Sequence, residues 1–454
     1  MRLDKVHRYI DDHADDFVKD LVKLVKQPSI SAKDEGMEEC ARLVEKMMRE
    51  IGFSTRIFRG KKGNPVVCGE KLSKKSDKTL LFYDHYDVQP PEPLEKWTYE
   101  PFSGKIADGK IYGRGASDNK GNLVSRLKAV QALLEVKTDL PVNIKFFVDG
   151  EEEIGSPHLK PIIKQHRKQF SADAAIWEFG GTDRQERPNL YLGLKGILSI
   201  EIKVKKASKD VHSANAPIIP NPAWRLVWAL NHLKDEEENV SIEGFYENVL
   251  PPSAEDVECL KNIPFEEKET KRELNLKEFL HNKSGLDALK ALLYQPTCTI
   301  NGLISGYTGK GSKTVLPHEA GAKLDFRLVP NQKSYDVYRK LVKHLENHGF
   351  RDLKIIKLGS TEPTKTPIND PFVKLVAKTA KKIYGKKAVI YPISAGSGPM
   401  HLFRNFLGYP VVSVGCSHPE ANTHAPNENL KIDSFIKGTK FIATLISDFA
   451  SSGC

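Results

Sequence analysis

Nowhere in the 454 residues do about 18 apolar residues follow one another, so the sequence predicts no membrane-spanning helix and no membrane partner. The opening MRLDKVHRYIDDHADDF mixes charge with apolar spacing and lacks the apolar centre of a signal peptide, an expectation against export. Cysteine is sparse. Cys40, Cys68, Cys259, Cys298, Cys416 and Cys454 lie far apart with no C-x-x-C pair, in a chain long enough to dispense with disulfide staples, which predicts a reducing cytoplasm. Internal repeats and low-complexity tracts are also missing, which excludes solenoids and disordered arrays. The formal charge is +10, but the basic residues fall in short clusters, KLSKKSDK from Lys71 and KKIYGKKA from Lys381. With neither a recognition motif nor aromatics interleaved among them, the expectation is a solvated surface and no nucleic-acid partner. What remains, 39% hydrophobic and 28% charged residues, is the composition of a folded globular protein of two or three domains.

Apolar residues at helical spacing, Val6, Ile10, Phe17, Leu21 and Leu24, predict an opening helix that Pro28 stops. A second amphipathic helix runs through Met37, Cys40, Val44, Met47 and Ile51, with Gly52 as its C-terminal glycine. Short apolar runs follow: LLFY at Leu80, VNIKFFV at Val142, AAIW at Ala174 and PVVSVG at Pro410. Between the first two lies a helical stripe of Leu123, Leu127, Val130 and Leu134. Strands alternating with helices predict an α/β fold with a largely parallel sheet. From Gly196 the texture changes to the alternating strand LSIEIKVKKA, a helix around Trp224 to Leu233, strand-like KLDFRLVP, and a helix through Val337, Leu341 and Leu345. The predicted organisation is a catalytic domain in two parts, 1–195 and 361–454, with an α+β domain inserted over 196–360.

Metal-type side chains stand just beyond the apolar runs: His85 and Asp87, Glu151 to Glu153, Glu178, and His424. Ligands of open α/β sheets bind outside the carboxyl ends of the strands, so these distant positions can converge. Asp118 adds a carboxylate in the turn GRGASDNKGN. Three adjacent glutamates repel one another unless cations neutralise some of them; a solvated acidic loop is the plainer alternative. His85 and Asp87, two apart, suit a metal-bound imidazole and the acid that takes its other N–H. Two divalent cations would be balanced by Asp118, Glu153, Glu178 and a bridging hydroxide. Glu152 is then placed to take the water's proton and pass it to a leaving nitrogen.

The segments YDHYDVQP, GRGASDNKG, EEEIGS, DVHSANAP, KTVLP, FRLVPN, AGSGP and THAPNE occur in order along nearly the whole chain. In them the sequence resembles the metallopeptidase family that includes aminoacylase, the glutamate carboxypeptidases and the carnosinase-type cytosolic dipeptidases, the dipeptidase branch above all. The resemblance implies a catalytic domain of the zinc exopeptidase type with an inserted ferredoxin-like lid and dimerisation domain. It implies that His85, Asp118 and Glu178 bind one metal and Asp118, Glu153 and His424 the other, zinc first, with manganese or cobalt as alternatives. Asp87 would orient His85, and Glu152 would be general base and then acid. His212 would cross a homodimer interface to the oxyanion, and Arg327 and Ser397 would hold the substrate carboxylate. A cis peptide is implied at Asp118–Asn119. From spacing alone, His212 reads as a turn cap, Arg327 as half of a surface ion pair, and Ser397 as part of a glycine-rich turn.

Three positions depart from the family pattern. Asp84 stands where glycine is frequent, Glu178 where dipeptidase relatives usually carry Asp, and Ser394 where close dipeptidase relatives have a Glu near the substrate's free amine. The implied function is a di-zinc exopeptidase that cleaves dipeptides, or the C-terminal residue of short peptides, by a metal-bound water with Glu152 as general base. The alternative is an N-acyl amino acid deacylase or desuccinylase using the same site.

Overall fold

The apolar runs become strands because they are covered on both faces, the environment that parallel strands require. In the computed structural model, which describes residues 3–60 and 63–453, the strands of the two larger sheets are, in chain order, β1 (Ser54–Phe58), β2 (Val66–Lys71), β3 (Thr79–His85), β4 (Asn143–Asp149), β5 (Ala174–Trp177), β6 (Asn189–Tyr191), β7 (Gly196–Lys205), β8 (Thr299–Ser305), β9 (Glu319–Leu328), β10 (Lys354–Thr361), β11 (Val389–Tyr391) and β12 (Val411–Ser413). Cys454 lies outside the described residues; the other five cysteines are free thiols. No helix among the described residues is long and apolar enough to cross a membrane.

The larger sheet has eight strands in the order β1-β2-β4-β3-β5-β12-β6-β11. Its centre, β4-β3-β5-β12, is parallel, while β2 runs antiparallel to β4 and β6 antiparallel to β12. Every residue of β3 is buried. One face is covered by the helices Asp4–Asp12, Ala14–Val25, Met37–Glu50, Lys120–Lys137, Pro371–Tyr384 and Ile432–Ala450, through a core that includes Leu21, Val44, Leu127, Val376 and Leu445. Across the sheet, Tyr83, Phe147, Trp177 and Phe403 form a second core in which the Tyr83 and Trp177 rings stack at 3.9 Å. The opening helix is broken at His13, yet all five residues of its expected stripe are buried. Gly52 has φ +81°, the left-handed backbone that ends the third helix and favours glycine.

The Lys120–Lys137 helix departs from its expected apolar stripe. It is wedged under the sheet, so that Lys120, Asn122, Ser125, Arg126 and Lys128 are buried along with the leucines. Apolar periodicity did not announce these polar groups; Lys120, Asn122, Arg126 and Lys128 find their partners among the carbonyls and side chains around them.

A separate domain of sheet and helices begins at β7. Its four strands are ordered β8-β9-β7-β10, all neighbours antiparallel. The helices Pro222–Asn231 and Ser334–Asn347 pack on it around Leu198, Leu226, Phe326 and Leu341. Alternate burial along β7 matches a sheet with one covered face. The chain enters past Gly193–Leu194, which pairs with Thr364–Lys365 on the way back, and a Cβ at Gly196 would stand 2.6 Å from the Pro363 ring. Helices Ala254–Asn262 and Gly285–Tyr294 pack through Leu260, Leu289 and Leu293 on Val389 and Ile393, at the edge of the larger sheet.

Candidate metal centre

The carboxyl ends of the parallel strands carry the chemistry. His85 is the last residue of β3, and Glu178 follows β5 directly. Glu152 and Glu153 lie in the single helical turn Glu152–Ile154 beyond β4, and His424 is in the loop beyond β12. Asp118 precedes the Lys120–Lys137 helix across a cis peptide to Asn119. The ligand atoms of His85, Asp118 and Glu178 all lie within 4.8 Å of one another, and so do those of Asp118, Glu153 and His424. Asp118 belongs to both groups. His85 Nε2 is 3.0 Å from Asp118 Oδ1, and His424 Nε2 is 3.2 Å from Asp118 Oδ2 and 3.1 Å from Glu153 Oε2.

These positions are over-determined by their surroundings. His85 Nδ1 is 3.0 Å from the Asp87 carbonyl, which leaves Nε2 for the centre of the site. Asp87 Oδ1 and Oδ2 accept the backbone N–H groups of Glu152 and Glu153. Gln89 Nε2 donates to Glu153 Oε2 at 2.9 Å. Glu428, fully buried, accepts from the backbone of Gly115, Ser117 and Asp118 and from Arg114, so one carboxylate shapes the whole Asp118 loop. His424 adopts φ +62°, a left-handed conformation that costs a non-glycine residue about 1–3 kcal/mol and is typical of functional loops.

Charge is unbalanced in this cluster, and burial sharpens the imbalance. Burial, reinforced by Glu153, Asp118 and Asp87, pushes the Glu152 carboxyl up to about 8 against the opposing effect of His85. Burial also drives Glu178 well above the usual carboxylate range. Asp118 falls below that range because, despite its burial, it accepts from His424 and His85. His424 is raised to about 10 by its contacts with Asp118 and Glu153. The donors fit metal ions: Glu153 Oε1 is buried without a hydrogen-bond partner, and the mixed imidazole and carboxylate set suits zinc or manganese.

A cavity of about 610 Å³ opens over both groups, a volume suited to a small ligand. Asp118, Glu152, Glu178 and His424 line it with Phe179, Tyr191, Tyr391, Ser394 and Ser397. Arg327, on β9, donates from Nη1 at 2.9 Å to the Oγ of Ser397, which lines the cavity. His212 does not join them. It is exposed on the separate domain, and its Nδ1 accepts from Ala214 N–H at 3.1 Å, capping the turn Ser213–Asn215.

Sequence reasoning missed Gln89, Arg114, Arg126 and Glu428 as supports of the site. Gln89, Arg114 and Glu428 carried a signal in their places within YDHYDVQP, GRGASDNKG and THAPNE; Arg126 carried none. Asp84, whose effect the sequence left open, pairs in the interior with Arg126 at 2.7 Å.

Residues 81–448 match the model of peptidase family M20/M25/M40. The human Beta-Ala-His dipeptidase is 27% identical over 99% of this chain and 93% of that protein. A Cys-Gly metallodipeptidase of Schizosaccharomyces pombe is 27% identical over 99% of both chains. The crystal structure of an M20 family metallo-carboxypeptidase from Sulfolobus solfataricus superposes with a TM-score of 0.91 and 41% identity, covering 96% of this chain and 99% of that one. With two ligand groups sharing one aspartate, and with a family match across four fifths of its length, the chain belongs to peptidase family M20/M25/M40 as a metal-dependent hydrolase.

Proposed function

We propose that the protein is a di-zinc exopeptidase acting on dipeptides or on the C-terminal residue of short peptides. The observation that carries this reading is Asp118, whose two oxygens face His85 on one side and His424 on the other. His85, Asp118 and Glu178 would hold one ion, and Asp118, Glu153 and His424 the second. Such a pair supplies Lewis acidity and lowers the pKa of a bound water toward neutrality. Glu152 would take a proton from the attacking water and return it to the leaving nitrogen, while Asp87 holds the Glu152 backbone N–H. Arg327 and Ser397 bind the terminal carboxylate, a planar anion that a guanidinium fork matches.

The separate domain, 196–360, is proposed as an inserted lid of ferredoxin-like type between catalytic segments 1–195 and 361–454. Its β-α-β-β-α-β sequence and the order β8-β9-β7-β10 support this. Homodimerisation is supported by its exposed apolar residues, Trp224, Val227 and Trp228 on one helix and Ile300, Leu303 and Ile304 on the edge strand β8. His212 would then serve the partner's active site, which explains its absence from the cavity lining of its own chain. The sparse free thiols support a cytoplasmic setting.

A second reading, hydrolysis of N-acyl amino acids, draws on the amino-side wall. Ser394 is neutral there, and the Tyr191 and Tyr391 rings stack at 4.5 Å beside it in the same cavity. One panel with zinc-reconstituted enzyme separates the readings: free dipeptides, the same dipeptides N-acylated, and both with amidated C-termini. The exopeptidase reading expects turnover of free dipeptides and loss with C-terminal amides. Turnover confined to N-acylated substrates favours the second reading, and turnover of none contradicts both.

A further inference from the structure

The helix behind the metal ligands carries a guanidinium that reaches three strands at once. Arg126, 1% exposed, donates from Nη1 to the Tyr83 carbonyl at 2.9 Å and to Asp84 Oδ1 at 2.7 Å. From Nη2 it reaches the carbonyls of Trp177 at 2.7 Å, Glu178 at 3.2 Å and Val414 at 2.9 Å. These acceptors are the carboxyl ends of β3, β5 and β12, three adjacent parallel strands. Carbonyls at such ends have run out of ladder partners, and a buried carbonyl without a donor is costly. A five-donor planar fork can serve several at once in fixed geometry; a lysine ammonium, with three donors at one point, cannot span them.

The contacts are selective. Arg126 holds the two residues that precede His85 in β3, Tyr83 through its carbonyl and Asp84 through its side chain, and it holds the backbone of Glu178 itself. Asn119 adds a second clamp, donating from Nδ2 to the Glu178 carbonyl at 2.8 Å and accepting from His85 N–H at 3.4 Å. Neither residue contacts Glu153 or His424, whose placement depends on Asp87, Gln89 and the His424 loop. Asp84 supplies the charge that makes a buried guanidinium tolerable among apolar neighbours such as Phe82, which lies under it at 5.8 Å.

We infer that Arg126, neutralised by Asp84, is the positioning residue of one metal site only: it sets the ends of β3 and β5 so that His85 and Glu178 meet across Asp118. The inference rests on the di-metal reading above. It differs from a purely stabilising role, because a buried ion pair replaced as a unit by apolar groups is often neutral for stability.

The test is zinc titration of the metal-free full-length protein against a competing chelator, with cobalt absorption as a signature of coordination. Two variants are read, Arg126→Lys, which keeps the charge beside Asp84, and the double variant Asp84→Ala/Arg126→Met, which removes both charges. His424→Ala isolates the Glu178 site in each background, and Glu178→Ala isolates the His424 site. The expected result is a folded protein, by circular dichroism, whose zinc affinity falls at least tenfold at the Glu178 site, the usual scale for groups that orient metal ligands, and stays near wild type at the His424 site. kcat falls with little change in KM. Wild-type affinity at both sites in either folded variant, or an equal loss at both, overturns the inference. Wild-type protein that binds fewer than two zinc ions overturns the di-metal reading instead.

Discussion

Asp87 Oδ1 accepts the backbone N–H of Glu152 at 3.1 Å, and the same carboxylate's second oxygen accepts that of Glu153 at 3.0 Å. Because the Asp87 carbonyl also meets His85 Nδ1, one residue couples His85 of one candidate metal group and Glu153 of the other to Glu152, the proposed general base. Asp87→Ala strands two backbone donors and frees the turn. The expected outcome is a 10- to 100-fold loss in zinc affinity and in kcat, checked by chelator competition and steady-state kinetics.

Glu152 is the proposed acid–base group, and its side chain belongs to neither candidate ligand group. Glu152→Ala is expected to keep two zinc ions and a near wild-type KM while kcat falls by about 10² to 10⁴, the range for general acid–base groups. Metal analysis of the same preparation checks both halves. An unchanged rate removes Glu152 from the mechanism.

The two candidate ligand groups were legible in the sequence because chemistry leaves a mark on residue type and place: His, Asp and Glu just beyond apolar runs, which the fold brings together. The strands β3, β4, β5 and β12 were legible as apolar runs, and β7 by its alternation. What the sequence concealed is polar and buried. Arg126 sits beside the apolar stripe of its helix with no local cue, since its partners at positions 83, 84, 177, 178 and 414 are assembled only by the sheet. His212 shows the reverse: the family motif singles it out, while in one chain its visible work is to cap a turn.

Glu428 supports the Asp118 loop from below and neutralises buried Arg114 at 2.8 Å. Glu428→Gln removes the charge and leaves that guanidinium unpaired in the interior. Breaking one half of a buried pair costs about 3–5 kcal/mol, so a fall in Tm of several degrees is expected in the metal-free protein. Thermal denaturation monitored by circular dichroism checks it.

Zinc affinity should rise with pH. His424, raised to about 10 by Asp118 and Glu153, is protonated at neutrality in the metal-free protein, and a ligand must shed its proton to bind. As pH rises toward 10 this competition fades and affinity increases. Calorimetry at pH 7 in buffers of different ionisation enthalpy is expected to show net proton release on zinc binding; no release contradicts the assignment of His424 as a ligand.

The most direct measurement is anomalous diffraction at the zinc edge from crystals of the zinc-loaded protein. Two peaks about 3.5 to 4 Å apart are expected, both within coordination distance of Asp118, one also bound by His85 and Glu178 and the other by Glu153 and His424. A single peak, or a pair that leaves Glu178 or His424 unliganded, contradicts the di-metal centre.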